Sequence, residues 1–94
     1  MGEAPHLSRD ERQTLIKAAR QALDEINLTH VPIVAGCSVA STRESILIAK
    51  EAAAAEADFA IALTPGFYAG SLVADERTVK GYFVDIANAS PIPV

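Results

Sequence analysis

Cysteine is almost absent from this chain, since Cys37 is the only one among 94 residues. A disulfide framework and a cysteine-based metal cluster are therefore both excluded. Basic residues are also in the minority, with 8 Lys and Arg against 12 Asp and Glu and a net charge of −4. Proteins that bind nucleic acids normally carry a basic face, so we expect no nucleic-acid partner.

Aromatic side chains and long apolar runs are scarce as well. Aromatic residues make up 5% of a chain that is 50% apolar, so the core must be aliphatic and rich in alanine. No apolar stretch approaches the ~18 residues of a membrane-spanning helix, and we expect no membrane partner. Residues 1–5 contain no basic or apolar leader, which favours the cytoplasm over secretion. The mitochondrion remains the alternative location.

Capping residues and apolar periodicity predict three helices. The first begins at Ser8, with Glu11 three residues later, an arrangement that satisfies two backbone N–H groups at a helix start. The second begins in the same way at Ser41, and the third begins near Asp75. Six positions of the first helix follow helical spacing and predict one buried stripe. They are Leu15, Ala18, Ala19, Ala22, Leu23 and Ile26.

Three short apolar runs alternate with these helices, at residues 31–35, 59–63 and 91–94. The first two are continuous rather than alternating, which is typical of strands buried on both faces in a parallel sheet. Successive runs start about 30 residues apart, close to the ~31 residues of one unit in an eight-fold βα barrel. We therefore expect an α/β chain that forms a segment of a (β/α)8 TIM barrel, with about three βα units. The spacing leaves a small open α/β domain as the alternative.

The chemistry of a parallel βα fold takes place at the carboxyl ends of its strands. Two loops belong there, residues 36–42 and 64–70, and the first leads into a helix N-terminus that favours an anion. The capping spacing alone explains Ser41 and Thr42, so we favour helix capping over an anion site at this position. Cys37 lies in the first loop, but His30 is predicted at the opposite end of the sheet and only His6 could act as its base. We therefore interpret Cys37 as a packing residue.

Metal ligands and a reactive lysine are not predicted. Residues of the types His, Cys, Asp and Glu do not cluster on the two loops, so no metal site is expected. The chain has three lysines, Lys17, Lys50 and Lys80, each on the polar face of a predicted helix. A lysine that forms a Schiff base must be desolvated, so none of the three is expected to be a nucleophile.

Five segments, in order, resemble a known family. They are residues 7–12 (LSRDER), 31–36 (VPIVAG), 41–44 (STRE), 64–68 (TPGFY) and 90–94 (SPIPV). Together they resemble the dihydrodipicolinate synthase and N-acetylneuraminate lyase family of class I aldolases, most closely its 4-hydroxy-2-oxoglutarate aldolase and fungal deoxy-sugar-acid aldolase branch. The resemblance implies that residues 1–94 run from the end of strand 2 to the start of strand 5 of a TIM barrel. It also implies a reversible carbon–carbon cleavage that yields pyruvate or a similar 2-oxo acid, through a Schiff base and without a cofactor.

The resemblance also implies site residues. Gly2 and Glu3 match the end of a family motif that holds the substrate carboxylate, and with Gly36 they are the expected substrate-binding residues. The family's relay tyrosine falls on Phe67, so the catalytic hydroxyl is assigned to Tyr68. The Schiff-base lysine would follow the last residue, and we expect a catalytically incomplete segment. The alternative is a non-catalytic α/β module that assembles with its own copies or complements a missing partner.

Two further expectations concern stability. Glu56 stands where the family usually has glycine at a left-handed helix terminus, at a cost on the order of 1 kcal/mol. Three βα units taken from a barrel would leave apolar strand edges unpaired. We therefore expect the chain to self-associate.

Overall fold

The computed structural model describes residues 3–66, 70 and 74–94. Within these residues a 3-10 turn, Ala4–His6, precedes α1 (Arg9–Glu25), β1 (Val34–Gly36), α2 (Thr42–Ala54), β2 (Phe59–Ile61) and α3 (Glu76–Ala89). The two strands pair in parallel, and α2 lies between them in the chain as the crossover helix. None of the helices described is long and apolar enough to cross a membrane.

The helices begin at the capping residues that the sequence predicts. The side chain of Ser8 accepts a hydrogen bond from the N–H of Glu11, and the Glu11 carboxylate accepts one from the N–H of Ser8 at 2.7 Å. The hydrogen bonds from Ser8 lower the pKa of Glu11 below its ordinary value. The side chains of Ser41 and Asp75 cap α2 and α3 by accepting from the N–H groups of Glu44 and Arg77, without the reciprocal bond seen at α1. All three predicted helix starts are confirmed.

The buried face of α1 differs from the predicted one. No residue of α1 is buried, and five of the six predicted stripe positions are exposed. Leu15 and Ile26 are 56% and 64% exposed. The partly buried side carries Arg12, Ile16 and Arg20, four residues apart. The predicted stripe is wrong because α1 turns Ile16 toward the core, and the arginines one turn before and after it donate to the carbonyl of Ala4 and to Asp58.

The strands are shorter than the apolar runs that predict them. β1 begins at Val34, two residues after Pro32, which has no N–H to donate to a sheet. β2 ends at Ile61. The run 91–94 is not a strand, but the N–H of Ala60 donates to the carbonyl of Pro93 at 2.8 Å. This last segment therefore lies beside β2, on the side away from β1.

The two faces of the sheet differ in burial. Ala35 and Ala60 point toward the helices and are 7% and 4% exposed. Val34, Phe59 and Ile61 point to the other face and are 44 to 56% exposed. Burial on both faces, as the continuous runs predict, is therefore wrong for the described residues, because the helices cover only one side.

Small side chains form the core between the sheet and α2, as the composition predicts. The buried cluster consists of Ala35, Cys37, Ile48, Ala49, Ala52, Ala57 and Ala60. Because these side chains are short, α2 packs close to the strands. This close packing fixes the position of the loop between β1 and α2. Ile86 and Tyr82 of α3 are also buried, with 0% and 6% exposure.

The turn after α2 is left-handed at Glu56, with φ 73°, as expected. A side chain at this φ is strained and glycine is not, so we expect Glu56→Gly to raise the free energy of unfolding by about 1 kcal/mol. Urea denaturation measures this gain. Asn27 has φ 59° and provides the matched control, because asparagine tolerates this conformation and Asn27→Gly should change stability much less. Equal effects of the two substitutions would contradict the prediction.

Candidate functional site

The loops after β1 and β2 meet at the carboxyl end of the sheet. The N–H of Cys37 donates to the carbonyl of Ile61 at 3.0 Å. The N–H of Leu63 donates to Oγ of Ser38. These bonds continue the pairing of the strands beyond their ends, so the starts of both predicted loops are held side by side.

A buried pair of hydroxyl groups fixes the first loop. Ser45 of α2 is fully buried, Tyr82 of α3 is nearly so, and their oxygens lie 2.9 Å apart. Oγ of Ser45 accepts from the N–H of Val39 at 3.2 Å, and the Tyr82 hydroxyl donates to the carbonyl of Val39 at 3.1 Å. Both backbone groups of Val39 are thus satisfied by two different helices.

The sequence alone does not predict this pair, although it contains one signal. Ser45 lies four and seven residues before Ala49 and Ala52, on the buried stripe of α2. A polar side chain on such a stripe requires a buried partner. The identity of that partner, Tyr82, depends on how α2 and α3 pack together.

Two of the expected substrate-binding residues, Glu3 and Gly36, line the same cavity of about 290 Å³ between α1, β1 and α2. Arg12 lines it as well, and its Nη2 donates to the carbonyl of Ala4 at 2.6 Å. A Cβ added to Gly36 would meet no atom within 4 Å. The other expected site residues, Gly2 and Tyr68, lie outside the described residues, as does Phe67.

The sequence model of the dihydrodipicolinate synthetase family matches residues 1–94. The chain belongs to this family. It is 44% identical over 93 residues to a probable mitochondrial 4-hydroxy-2-oxoglutarate aldolase of Emericella nidulans. It is 42% identical over 93 residues to an L-threo-3-deoxy-hexylosonate aldolase of Hypocrea jecorina. Each match covers 99% of this chain and 29% of the relative, so the chain spans less than a third of their length.

The structure agrees with this membership. It superposes with a TM-score of 0.81 and 32% identity on the dihydrodipicolinate synthase of Acinetobacter baumannii in complex with pyruvate. The superposition covers 98% of this chain and 29% of the synthase. The family resemblance and the predicted α/β segment of a TIM barrel are both confirmed.

Cys37 of this family member is a packing residue and not a nucleophile. Its side chain is fully buried, and Sγ lies 3.4 Å from the carbonyl of Ala35. Burial raises the pKa of the Cys37 thiol, and the charge of Arg12 offsets this only in part. A reactive cysteine requires a lowered pKa. Within the described residues, no hydrogen bond joins the thiol to His6 or His30.

The amino ends of the strands carry a structural clamp. Oδ2 of Asp58 accepts from the Arg20 guanidinium at 2.6 Å and from the N–H of Ile33 at 2.7 Å. Arg20 also donates to the carbonyl of Val31 at 3.4 Å. This network ties α1 to the starts of both strands. In βα barrels of this family's type, that end serves stability, while the opposite end holds the site.

Proposed function

We propose that this chain forms the part of a Schiff-base aldolase barrel that runs from the end of strand 2 to the start of strand 5. The observation that carries the proposal is the 44% and 42% identity, over nearly the whole chain, to two proteins named as aldolases. The proposed substrate is a small 2-oxo acid, which the pyruvate complex of the similar synthase supports. The reaction is a reversible carbon–carbon cleavage that releases pyruvate or a similar acid.

The described residues contribute binding surface rather than the covalent step. Glu3 and Gly36 share one cavity, and with Gly2 they are the proposed carboxylate-binding residues. The buried hydroxyl pair holds the neighbouring loop in place for this role. Tyr68 is proposed as the relay hydroxyl. The amine that forms the Schiff base belongs to a lysine outside the 94 residues.

A chimeric enzyme tests the proposal. Residues 1–94 replace the matching 93 residues of the Emericella aldolase, and pyruvate release from 4-hydroxy-2-oxoglutarate is measured. We expect a folded chimera with activity within about tenfold of the host. The matched control carries Gly36→Val, whose side chain would occupy the open space at the sheet edge and reduce activity. A folded chimera without pyruvate release would contradict the proposal.

Trapping with borohydride is expected to leave the 94-residue chain unchanged in mass. Lys17, Lys50 and Lys80 are all exposed, and a solvated ammonium group does not attack a ketone efficiently. The chain is incubated with pyruvate and borohydride and analysed by intact mass spectrometry, with the chimera as the positive control. A stoichiometric pyruvyl adduct on any of the three lysines would show that the chain carries its own nucleophile.

For the location, we propose the cytoplasm, with the mitochondrion as the alternative. The name of the Emericella relative supports the alternative. Fluorescence imaging of the tagged gene product decides between the two.

A self-assembling α/β module is the second candidate, because the open face of the sheet is apolar. Val34, Phe59, Ile61 and Leu63 are 44 to 65% exposed there. We expect the chain to associate as its concentration rises, because pairing would remove this surface from water. Sedimentation velocity over a hundredfold range of concentration measures this. A monomer throughout that range would contradict self-assembly, and the module would then remain only as the complement of a missing partner.

A further inference from the structure

A single side chain ties the turn before α1 to that helix. Nη2 of Arg12 donates to the carbonyl of Ala4 at 2.6 Å. The turn itself, residues 3–7, is closed by two backbone bonds of 2.9 and 3.2 Å that stay within it. Among the residues that the structure describes, no other hydrogen bond joins residues 3–7 to an element outside the turn. Arg12 therefore holds the turn in place from α1.

The guanidinium group of Arg12 is close both to this turn and to the loop after β1. Glu3 of the turn and Gly36 at the end of β1, two of the proposed carboxylate-binding residues, line the same cavity as Arg12. Burial raises the pKa of the Cys37 thiol and the charge of Arg12 lowers it, so this charge acts on the residue that follows Gly36. A group in this position can set the distance between the two parts of the site.

Burial of Arg12 also carries a cost to stability. Its Nε is buried and has no acceptor within the described part of the chain. A buried donor without a partner lowers stability by an amount comparable to a lost hydrogen bond. The bond to Ala4 and the unpaired Nε therefore offset each other, and a net gain in stability does not account for an arginine at this position. Residues that serve function at the expense of stability are typical of functional sites.

We propose that Arg12 is a positioning residue for the substrate carboxylate, because it holds the turn that carries Glu3 beside the loop that begins at Gly36. The inference rests on the proposed aldolase function and deepens it, and Arg12 itself does not touch the substrate. A binding group is effective only when its support holds it within about 0.5 Å of the productive position. Loss of the tether lets the turn move, so substrate binding weakens while the covalent step, at a lysine outside the 94 residues, is unaffected.

The kinetic test uses the chimera of residues 1–94 with the Emericella aldolase. Arg12→Met removes the guanidinium group and retains a stem of similar length. We expect KM for 4-hydroxy-2-oxoglutarate to rise about fivefold and kcat to stay within about twofold, because the lost interaction supports the ground state and the transition state equally. The urea midpoint should not change, because the unpaired Nε is removed together with the bond to Ala4. Arg12→Lys retains a charged donor and should recover most of the loss in KM.

Arg20→Met is the matched control on the same helix. Arg20 belongs to the clamp at the amino ends of the strands, where it donates to Asp58. Its loss should lower the urea midpoint and leave KM unchanged, which is the opposite of the pattern expected for Arg12→Met. Equal KM values for Arg12→Met and the unsubstituted chimera would overturn the proposal. An Arg12→Met chain that does not fold by circular dichroism would also overturn it, because Arg12 would then serve stability as Arg20 does.

NMR relaxation of the isotope-labelled 94-residue chain tests the tether without any activity. The N–H groups of His6 and Leu7 close the turn, and their order parameters should fall from about 0.85 to about 0.6 in Arg12→Met, while that of Glu11 at the helix cap stays the same. Unchanged order parameters at His6 and Leu7 would overturn the inference even if KM rises. If the unsubstituted chimera releases no pyruvate, the proposed function fails and the role in substrate binding fails with it. The order parameters then still decide whether Arg12 holds the turn.

Discussion

Asp58→Ala is expected to lower the free energy of unfolding by about 2 kcal/mol. The substitution removes the only carboxylate that accepts from both Arg20 and the N–H of Ile33 in the described structure. The Arg20 side chain is 12% exposed, so its charge would lose a close partner in a largely buried position. Asp58 itself is 44% exposed, which keeps the cost below the 3–5 kcal/mol of a fully buried pair. Urea denaturation followed by far-UV circular dichroism measures the change.

A surface ion pair in the same chain serves as the control. Nε of Arg77 lies 3.6 Å from Asp75, and the Arg77 side chain is 95% exposed. Exposed pairs of this kind contribute little, so Arg77→Ala should cost less than about 0.5 kcal/mol. Asp58→Asn retains an acceptor for the N–H of Ile33 and should fall between the two. Equal costs for Asp58→Ala and Arg77→Ala would show that the clamp is only a surface contact.

The features that the sequence predicts correctly are local ones. A helix start depends on residues three positions apart, so Ser8 with Glu11 identifies one without any knowledge of the fold. The left-handed turn at Glu56 follows from the resemblance at a single position. The alanine-rich core follows from composition and from the close packing that a helix on a sheet requires.

The features that the sequence does not predict depend on packing between distant elements. Arg20 and Asp58 are separated by 38 residues and Ser45 and Tyr82 by 37, so neither pair has a spacing that a pattern could reveal. Periodicity places the apolar residues of α1 on one side of the helix. It does not establish which side faces the two strands, and the exposed Leu15 is the consequence.

In the candidate site, too, the local features are predicted from the sequence and the packing is not. The sequence places Gly36 at the carboxyl end of a strand, and the resemblance assigns Glu3 to substrate binding. Their position on one cavity depends on how the chain before α1 packs relative to β1, which no local pattern determines. The buried Nε of Arg12 could not be foreseen, because an arginine on a helix is most often solvated.

Removal of either hydroxyl of the buried pair is expected to destabilise the chain and loosen the first loop. Ser45→Ala leaves the N–H of Val39 without an acceptor, and Tyr82→Phe removes a donor to the Val39 carbonyl. Each should cost about 1–2 kcal/mol. Exchange of the Val39 amide should accelerate at least tenfold in Ser45→Ala, because that amide then opens to water. Thr14→Ala is the control, since among the described residues its hydroxyl bonds only to the exposed Asp10 carbonyl of its own helix.

The double variant distinguishes a coupled pair from two independent contacts. The two oxygens lie 2.9 Å apart, and both reach the backbone of Val39. Loss of one hydroxyl therefore weakens the hydrogen bonds of the other. The loss of unfolding free energy in the double variant should be about 1 kcal/mol smaller than the sum of the losses in the single variants. Additive costs would show that the hydroxyls act separately. The position of the loop after β1 would then be set by Cys37 and Ser38. Cys37 bonds to Ile61 of β2 and Ser38 bonds to Leu63 in the following loop, and both bonds remain in every variant.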